Sequence, residues 1–206
     1  MSSLRTAALF NAYRDAGAEL GAMAGMSTGL RLAQPSTERP WLTELTPVAR
    51  TLLIGGSAKA SLESSGLVAP SLFGISTLAQ CEIVQTAPRQ FLVSALPATP
   101  AELPYFTLLT DTLLLTTEYA EFAVGGPGAL PLIDEIATAD SGATTATAWF
   151  PTQICGIDAV LRREPAGFRV LCAPAEGPWM GAALLTRVLA VGGGLMGYLD
   201  YLDARP

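Results

Sequence analysis

Nucleophilic and acid–base chemistry rest on a few side-chain types, and this sequence lacks the commonest of them: it contains no histidine. That removes Ser-His-Asp and Cys-His sites, histidine general bases and every zinc site built on imidazole. The cysteines, Cys81, Cys155 and Cys172, are odd in number and show no CxxC spacing. They read as reduced core thiols of a cytosolic protein, ahead of a disulfide or a reactive nucleophile. Two carboxylate pairs remain, Asp134/Glu135 and Asp200/Asp203. Adjacent residues of a helix point to different faces, so the first pair does not act in concert. The second pair shares a face if the tail is helical, and reads as a solvated chain end. Arg162-Arg163, the only basic doublet, reads as an exposed strand ahead of an anion site. Gly55-Gly56 and Gly125-Gly126 each follow a short apolar strand end, where backbone amides at a helix start can cradle an anion. Neither has the GxGxxG or Gly-Lys-Ser/Thr pattern, and their recurrence points first to a turn that tolerates positive φ. Trp41 and Trp179 each follow a proline, and Trp149 lies two residues before Pro151; the three are candidate interface anchors, with core burial as the competing reading. No catalytic, cofactor-binding or metal-binding residue emerges from this set.

The chain that must position these groups has 206 residues, half of them hydrophobic, with 12 Lys+Arg against 18 Asp+Glu. It is long and apolar enough for a sizeable core and too hydrophobic for disorder. A net charge of −6, with Lys59 as the single lysine, leaves no electrostatic footprint for a phosphate backbone, so no nucleic-acid partner is expected. No membrane partner is expected either. The one membrane candidate, Met180–Leu199, is interrupted by Arg187, which leaves 12 uncharged residues from Val188 to Leu199 with Gly192-Gly193-Gly194 among them, short of the roughly 20 residues a spanning helix needs. Residues 1–30 alternate charges with alanines and lack the apolar run of a leader, so the expected location is cytoplasmic.

An amphipathic helix is expected over residues 4–24, then a proline-punctuated connection through Pro35, Pro40 and Pro47. From Val48 the chain reads as two copies of one design. Leu52-Leu53-Ile54-Gly55-Gly56-Ser57 and Phe122-Ala123-Val124-Gly125-Gly126-Pro127 are each an apolar strand end, a Gly-Gly turn and a helix start, 70 residues apart. Ser57 and Pro127 suit a helix cap and a first-turn proline. A second pair of segments, residues 83–97 and 160–174, aligns without gaps at an offset of 77, with Pro88/Pro165, Phe91/Phe168, Val93/Val170 and Pro97/Pro174 coinciding. Each reads as strand, proline turn, strand, followed by a helix over Ala101–Leu109 or Trp179–Ala190. A polar, threonine-rich loop is expected over 137–148. The fold class that follows is α+β: antiparallel-rich sheets with helices packed on them, built from duplicated strand–turn–helix plus hairpin units related by a pseudo-twofold. The expected organisation is one domain over 1–206 with two intertwined repeats, about 48–110 and about 118–190, an N-terminal helix and a short C-terminal tail.

On these motifs the segment from Tyr119 to Ala183 resembles the folate-binding fold of glycine-cleavage T-proteins and of the small gamma subunit of heterotetrameric sarcosine oxidases. Gly126-Pro127-Gly128-Ala129 matches the family's G-P-x-A turn, Gly167-Phe168-Arg169-Val170 its G-F-x-V/I hairpin, and Trp179 its tryptophan-bearing helix. Upstream, Ala7-Ala8-Leu9-Phe10, Gly17-Ala18 and Ala24-Gly25-Met26 look like the T-protein opening. The departures are specific. The family's G-E-D-G-F-E stretch, whose carboxylates help to hold the pterin, is here Arg163-Glu164-Pro165-Ala166-Gly167-Phe168-Arg169, with an arginine in place of the last glutamate. Its D-D catalytic segment has no counterpart. The resemblance therefore implies a non-catalytic, gamma-like accessory subunit of a flavin-dependent sarcosine oxidase or related N-methyl-amino-acid dehydrogenase. Larger flavoprotein subunits would be its partners and would carry FAD, FMN, NAD and tetrahydrofolate, with no cofactor bound by this chain alone. The alternatives are a stand-alone tetrahydrofolate-dependent aminomethyl or methyl transferase, and a small-molecule-binding or self-associating structural module.

Overall fold

The computed structural model describes residues 5–35, 37–78, 81–117, 119–138, 142 and 144–204. It opens with strand β1 (Arg5–Thr6), helix α1 (Phe10–Asp15) and the hairpin β2 (Glu19–Met23) and β3 (Met26–Arg31). The helix expected over 4–24 is thus confined to six residues. Gly17, at φ +71°, ends it, and Ala24-Gly25, both at positive φ, make the two-residue turn of the hairpin that replaces its second half. No side chain within α1 caps its start. Instead the buried Glu44 carboxylate accepts the amides of Ala8 (2.8 Å) and Leu9 (2.7 Å), placing negative charge at the positive end of the helix. Burial holds the Glu44 carboxyl above its ordinary pKa, with these amide bonds opposing the shift. Tyr13, fully buried on the inner face of α1, donates to the Met196 carbonyl (3.1 Å) and accepts the amide of Glu44 (3.0 Å).

The chain continues through β4 (Trp41–Glu44), β5 (Arg50–Ile54), α2 (Ala58–Ser64), β6 (Ile75–Leu78), β7 (Cys81–Ala87), β8 (Gln90–Ala95) and β9 (Leu113–Thr116). Then follow β10 (Ala120–Gly125), α3 (Ala129–Ile136), β11 (Phe150–Ile154), β12 (Ile157–Glu164), β13 (Gly167–Cys172), α4 (Gly177–Ala190), β14 (Gly194–Leu195) and α5 (Tyr198–Asp203). Among the described residues no helix is long and apolar enough to cross a membrane. Of the loop expected over 137–148, residues 139–141 and 143 lie outside the described residues.

Two compact units result. One comprises Met1–Pro47, Tyr119–Ala146 and Phe150–Pro206; the other comprises Val48–Glu118 with Thr147–Trp149. The second unit holds a five-stranded sheet in the order β6-β7-β8-β5-β9, and the first a six-stranded sheet in the order β11-β12-β13-β10-β4-β14. The two orders are one pattern: strand, helix, then a three-stranded meander whose last strand pairs antiparallel with the first. The duplication read from the sequence is therefore present in the topology, and it reaches the register. Leu53 lies opposite Phe91, and Val124 lies opposite Phe168. The Gly55 amide donates to the Arg89 carbonyl, and the Gly126 amide to the Ala166 carbonyl, both at 3.0 Å. The hairpin offset of 77 stands. The strand–turn–helix offset is corrected from 70 to 71, so that Gly55 matches Gly126, Gly56 matches Pro127, and Ser57 matches Gly128. Pairing the two Gly-Gly doublets by eye slips the strands by one residue, which would turn each side chain to the wrong face.

Each unit buries its own apolar face. In the first, Phe122, Val124, Leu161, Phe168 and Val170 meet Leu132 and Ile133 of α3 and Met180, Leu184 and Val188 of α4. In the second, Leu53, Ile83, Phe91 and Val93 meet Ala58 and Leu62 of α2. Here the copies diverge. The stretch Ala101–Leu109, expected to be helical like α4, is not. Pro104 falls in its middle, where it removes a donor and clashes with the preceding turn, whereas Pro178 sits in the tolerant first turn of α4. The amides that a helix would satisfy are taken by α2 and the residue that follows it: Leu109 donates to the Ser61 hydroxyl (3.0 Å) and Thr107 to that of Ser65 (2.9 Å). The Gly192–Gly194 turn is tied rather than loose, since Gly194 donates to the Pro40 carbonyl (3.0 Å) and begins β14, parallel to β4.

The turns separate two costs of replacing glycine. Gly66 lies at φ +77° in open space, whereas at Gly55, φ +136°, an added Cβ would overlap the Asp111 carbonyl oxygen. Gly66→Ala is expected to cost about 1 kcal/mol in urea unfolding, and Gly55→Ala about 3 kcal/mol. Equal losses would mean that the chain does not pass so close to Gly55.

Candidate functional site

The two glycine turns are each filled by the chain itself. In the second unit the Gly56 amide, at the start of α2, donates to the Asp111 carboxylate at 2.9 Å. An anion cradle would need that amide, and a side chain 55 residues away already holds it. In the first unit a Cβ on Gly125 would strike the Trp41 ring, and one on Gly126 the Arg39 carbonyl oxygen. Glycine is required there because the indole of Trp41 lies against the turn. Phe168 is buried in the core, and Gly167 lets β13 pass directly under the Val124 carbonyl.

The opposite face of the six-stranded sheet carries charge. Glu121 of β10 projects between the apolar residues of that strand and pairs with the Arg169 guanidinium of β13, both nearly inaccessible (1% and 3%). Arg169 also meets Glu164 at 3.5 Å, Glu164 meets Arg162 at 3.6 Å, and the second oxygen of Glu164 accepts the Tyr201 hydroxyl at 2.9 Å. Tyr201, on α5, packs edge-on to Trp41 with ring centres 5.9 Å apart. The result is a ladder of alternating charge, Glu121–Arg169–Glu164–Arg162, joined at Glu164 by Tyr201 and, through it, by the Trp41 ring. Two hollows flank it, one of about 180 Å³ beside Gly126, Arg163 and Pro165, the other of about 420 Å³ beside Trp41, Pro165 and Met196. Arg163, the other half of the basic doublet, is exposed. Chemically the ladder can hold a sheet face in one register. Its carboxylates are already partnered, so it is poorly placed to take protons from a substrate.

The remaining candidates separate by position. Trp41 is buried, and so is Trp149 (2% exposed), whose indole donates to Glu82 at 3.3 Å within the second unit. Trp179 is 72% exposed in the first turn of α4. Asp134 and Glu135 lie on α3, and Glu135 meets Arg187 at 3.2 Å. Asp200 and Asp203 do share one face of α5, yet they are engaged rather than merely solvated: both bind Arg31 (3.2 and 2.8 Å), and Asp200 accepts the Leu32 amide at 2.8 Å. The thiols are corrected in part. Cys81 and Cys172 are buried, but Cys155 is exposed in the β11–β12 turn. Burial, aided by Glu176 and Glu44, pushes the Cys172 thiol up to about 12. Among the described residues no group of three or more His, Cys, Asp or Glu side chains is placed to hold a metal ion. Asp111 and Tyr201 escaped sequence reading because each acts on a partner tens of residues away, with no local motif to mark it.

No protein-family model and no characterised protein matches the chain by sequence. By structure it is similar to the glycine cleavage system aminomethyltransferase T from Bartonella henselae, with a TM-score of 0.68 and 16% identity over 96% of this chain. It is also similar to the heterotetrameric sarcosine oxidase from Corynebacterium sp. U-96, solved in complex with pyrrole 2-carboxylate, with a TM-score of 0.59 and 17% identity over 78% of this chain. The chain has the T-protein-like folate-binding fold. It spans about 61% of the T-protein's length and 90% of the matched sarcosine oxidase chain. A pterin in a T-protein-like fold needs carboxylate acceptors for its amino and ring N–H groups. The matching stretch here does not fit one: Arg169 replaces the final carboxylate, and both oxygens of Glu164 face Arg162, Arg169 and Tyr201.

The ladder predicts a non-additive cycle. Arg169→Met takes the guanidinium from the buried Glu121 carboxylate and leaves Glu164 with Arg162, and is expected to cost about 3–5 kcal/mol in urea unfolding. Adding Glu121→Gln should recover a substantial part of that loss; additive losses would mean the pair does not interact. The thiols give a second check. One thiol per chain, that of Cys155, should react quickly with a disulfide reagent at pH 8, and all three only after denaturation. Fast labelling of Cys155→Ser would contradict the burial of Cys81 and Cys172.

Proposed function

We propose that this chain is a non-catalytic accessory subunit, gamma-like, of a heteromeric flavin-dependent sarcosine oxidase or related N-methyl-amino-acid dehydrogenase, working in the cytoplasm. The observation that carries the reading is the self-paired ladder. The stretch that matches the pterin-holding segment of T-proteins has turned its one carboxylate, Glu164, inward on Arg162 and Arg169, and its arginine, Arg169, pairs with Glu121 of the neighbouring strand, a structural use of side chains that a folate enzyme would keep for its ligand. Size agrees: the match covers 90% of a sarcosine oxidase chain slightly shorter than this one. In this reading larger flavoprotein subunits hold FAD, FMN, NAD and tetrahydrofolate, and this chain contributes a folded surface that secures them.

Trp179 is the anchor this reading assigns to that surface. It stands almost fully exposed on α4, whose outer face also presents Ala182, Leu189 and Ala190 with Arg187 as its only cation. A large aromatic side chain in such a setting is the usual centre of an interface.

Co-expression with the chains encoded beside it, large flavoproteins being expected among them, is the direct test. The chain should co-purify with them, and Trp179→Ala should weaken the complex roughly 30-fold or more, about 2 kcal/mol. Elution of the wild-type chain alone would overturn the reading. The transferase alternative makes the opposite prediction in calorimetry: tetrahydrofolate at millimolar concentration should give no heat with this chain, and saturable binding would favour the enzyme.

A further inference from the structure

The two sheets end differently. In the first unit the strand outside β10 is β4, and its outer edge is covered by β14 running parallel to it. In the second unit the equivalent strand outside β5 is β9, and among the described residues β9 is the last in its sheet. Edge strands are ordinarily guarded by charge, proline, a bulge or a covering segment. β9 and its flanks, Thr112–Thr117, contain no charge and no proline, and every residue of the strand is exposed. Of the two charges that bracket this stretch in sequence, Asp111 is engaged with the Gly56 amide and Glu118 lies outside the described residues.

We propose that β9 is the contact strand of a symmetric dimer, in which two copies of this chain pair β9 with β9 antiparallel and continue the sheet from one copy into the other. This goes beyond the accessory-subunit reading and does not depend on it. The sequence is self-complementary at this place. Thr112-Leu113-Leu114-Leu115-Thr116 reads the same in both directions, so a twofold through Leu114 sets leucine against leucine and threonine against threonine throughout. The backbone agrees with that register. Gly55 gives its amide to the Arg89 carbonyl, on the β8 side of β5, and Thr117 donates to the Arg50 carbonyl of β5 at 3.3 Å. Donors and acceptors alternate sides along an antiparallel strand, so Leu113, Leu115 and Thr117 face β5, while Thr112, Leu114 and Thr116 face the open edge. A twofold at Leu114 therefore falls on a hydrogen-bonding position and lets all three outward residues pair with their mates. The three leucines of the strand are exposed, and Tyr105, Leu108 and Leu109 are further exposed apolar side chains of the same unit.

Light scattering on the isolated chain tests this. At about 100 μM the wild type should have twice the 21.4 kDa mass of one chain. Leu114→Lys, which charges the edge, and Leu114→Pro, which removes one outward N–H while sparing the bonds to β5, should both be monomeric with unchanged far-ultraviolet circular dichroism. Leu114→Cys in a Cys155→Ser background supplies a check that does not depend on either variant folding. The paired α-carbons would lie about 5.5 Å apart, within disulfide range, and mild oxidation should give a covalent dimer. A monomeric wild type overturns the proposal, as does a dimer that survives both substitutions or a cysteine variant that stays uncross-linked. Occupation of β9 by a flavoprotein subunit, with the chain monomeric alone, overturns it too while leaving the accessory-subunit reading intact.

Discussion

A charge placed inside a sheet must be neutralised inside that sheet, and Glu121 makes this the governing constraint of the six-stranded unit. The carboxylate projects from the central strand β10, every residue of which is buried. Water cannot solvate it there, so an uncompensated charge would cost several kcal/mol. Arg169 on the neighbouring strand supplies the compensation. Once that arginine is present its excess hydrogen-bonding capacity must also be used, and Glu164 takes it, drawing in Arg162 and the Tyr201 hydroxyl. Through Tyr201 the ladder reaches Trp41, and through Trp41 the glycine turn that opens α3. One buried carboxylate thus fixes side chains on β4, β10, β12, β13 and α5. These carboxylates are committed to the fold's own arginines.

The glycine turns show the same economy at the backbone level. Both strand–helix junctions leave helix-start amides and a sharply turned backbone, features that other proteins use for phosphate. Here each junction is closed by a remote piece of the same unit: the Asp111 carboxylate and carbonyl at Gly55-Gly56, the Trp41 ring and Arg39 carbonyl at Gly125-Gly126. The glycines are needed for close approach. At the opening of the chain the Glu44 carboxylate performs the equivalent service for α1, which is too short to be stable on its own.

What the sequence made legible follows from range. The proline–phenylalanine hairpins were readable because their pattern is local: strand, turn and strand lie within fifteen residues, and Phe91 and Phe168 face the core at the same register. The duplication was readable for the same reason, although two doublets of glycine were too little to fix the register of the strand–turn–helix copies. The opening helix was overread because apolar residues at Leu9, Phe10, Tyr13 and Leu20 fit a helical period while the Ala24-Gly25 turn that breaks it carries a weak signal. The helix after Pro97 was overread because similarity to the other copy outweighed Pro104. Asp111, Tyr201 and the pairing of Glu44 with α1 could not be read, since each depends on residues brought together from more than 30 positions apart.

The differences between the copies are not spread evenly. Central strands keep register, topology and apolar faces, because a change there would have to be matched by every neighbour. The margins are free of that constraint, and there the copies part. One margin carries α4, a tied glycine turn and a covering strand; the other carries an irregular run held by Ser61 of α2 and Ser65 just after it, and a bare leucine strand. Duplication followed by divergence at sheet margins creates surfaces without disturbing cores. Those margins also carry the features that set the two copies apart at the surface: an exposed tryptophan on one unit, and on the other an exposed leucine strand whose sequence reads the same in both directions.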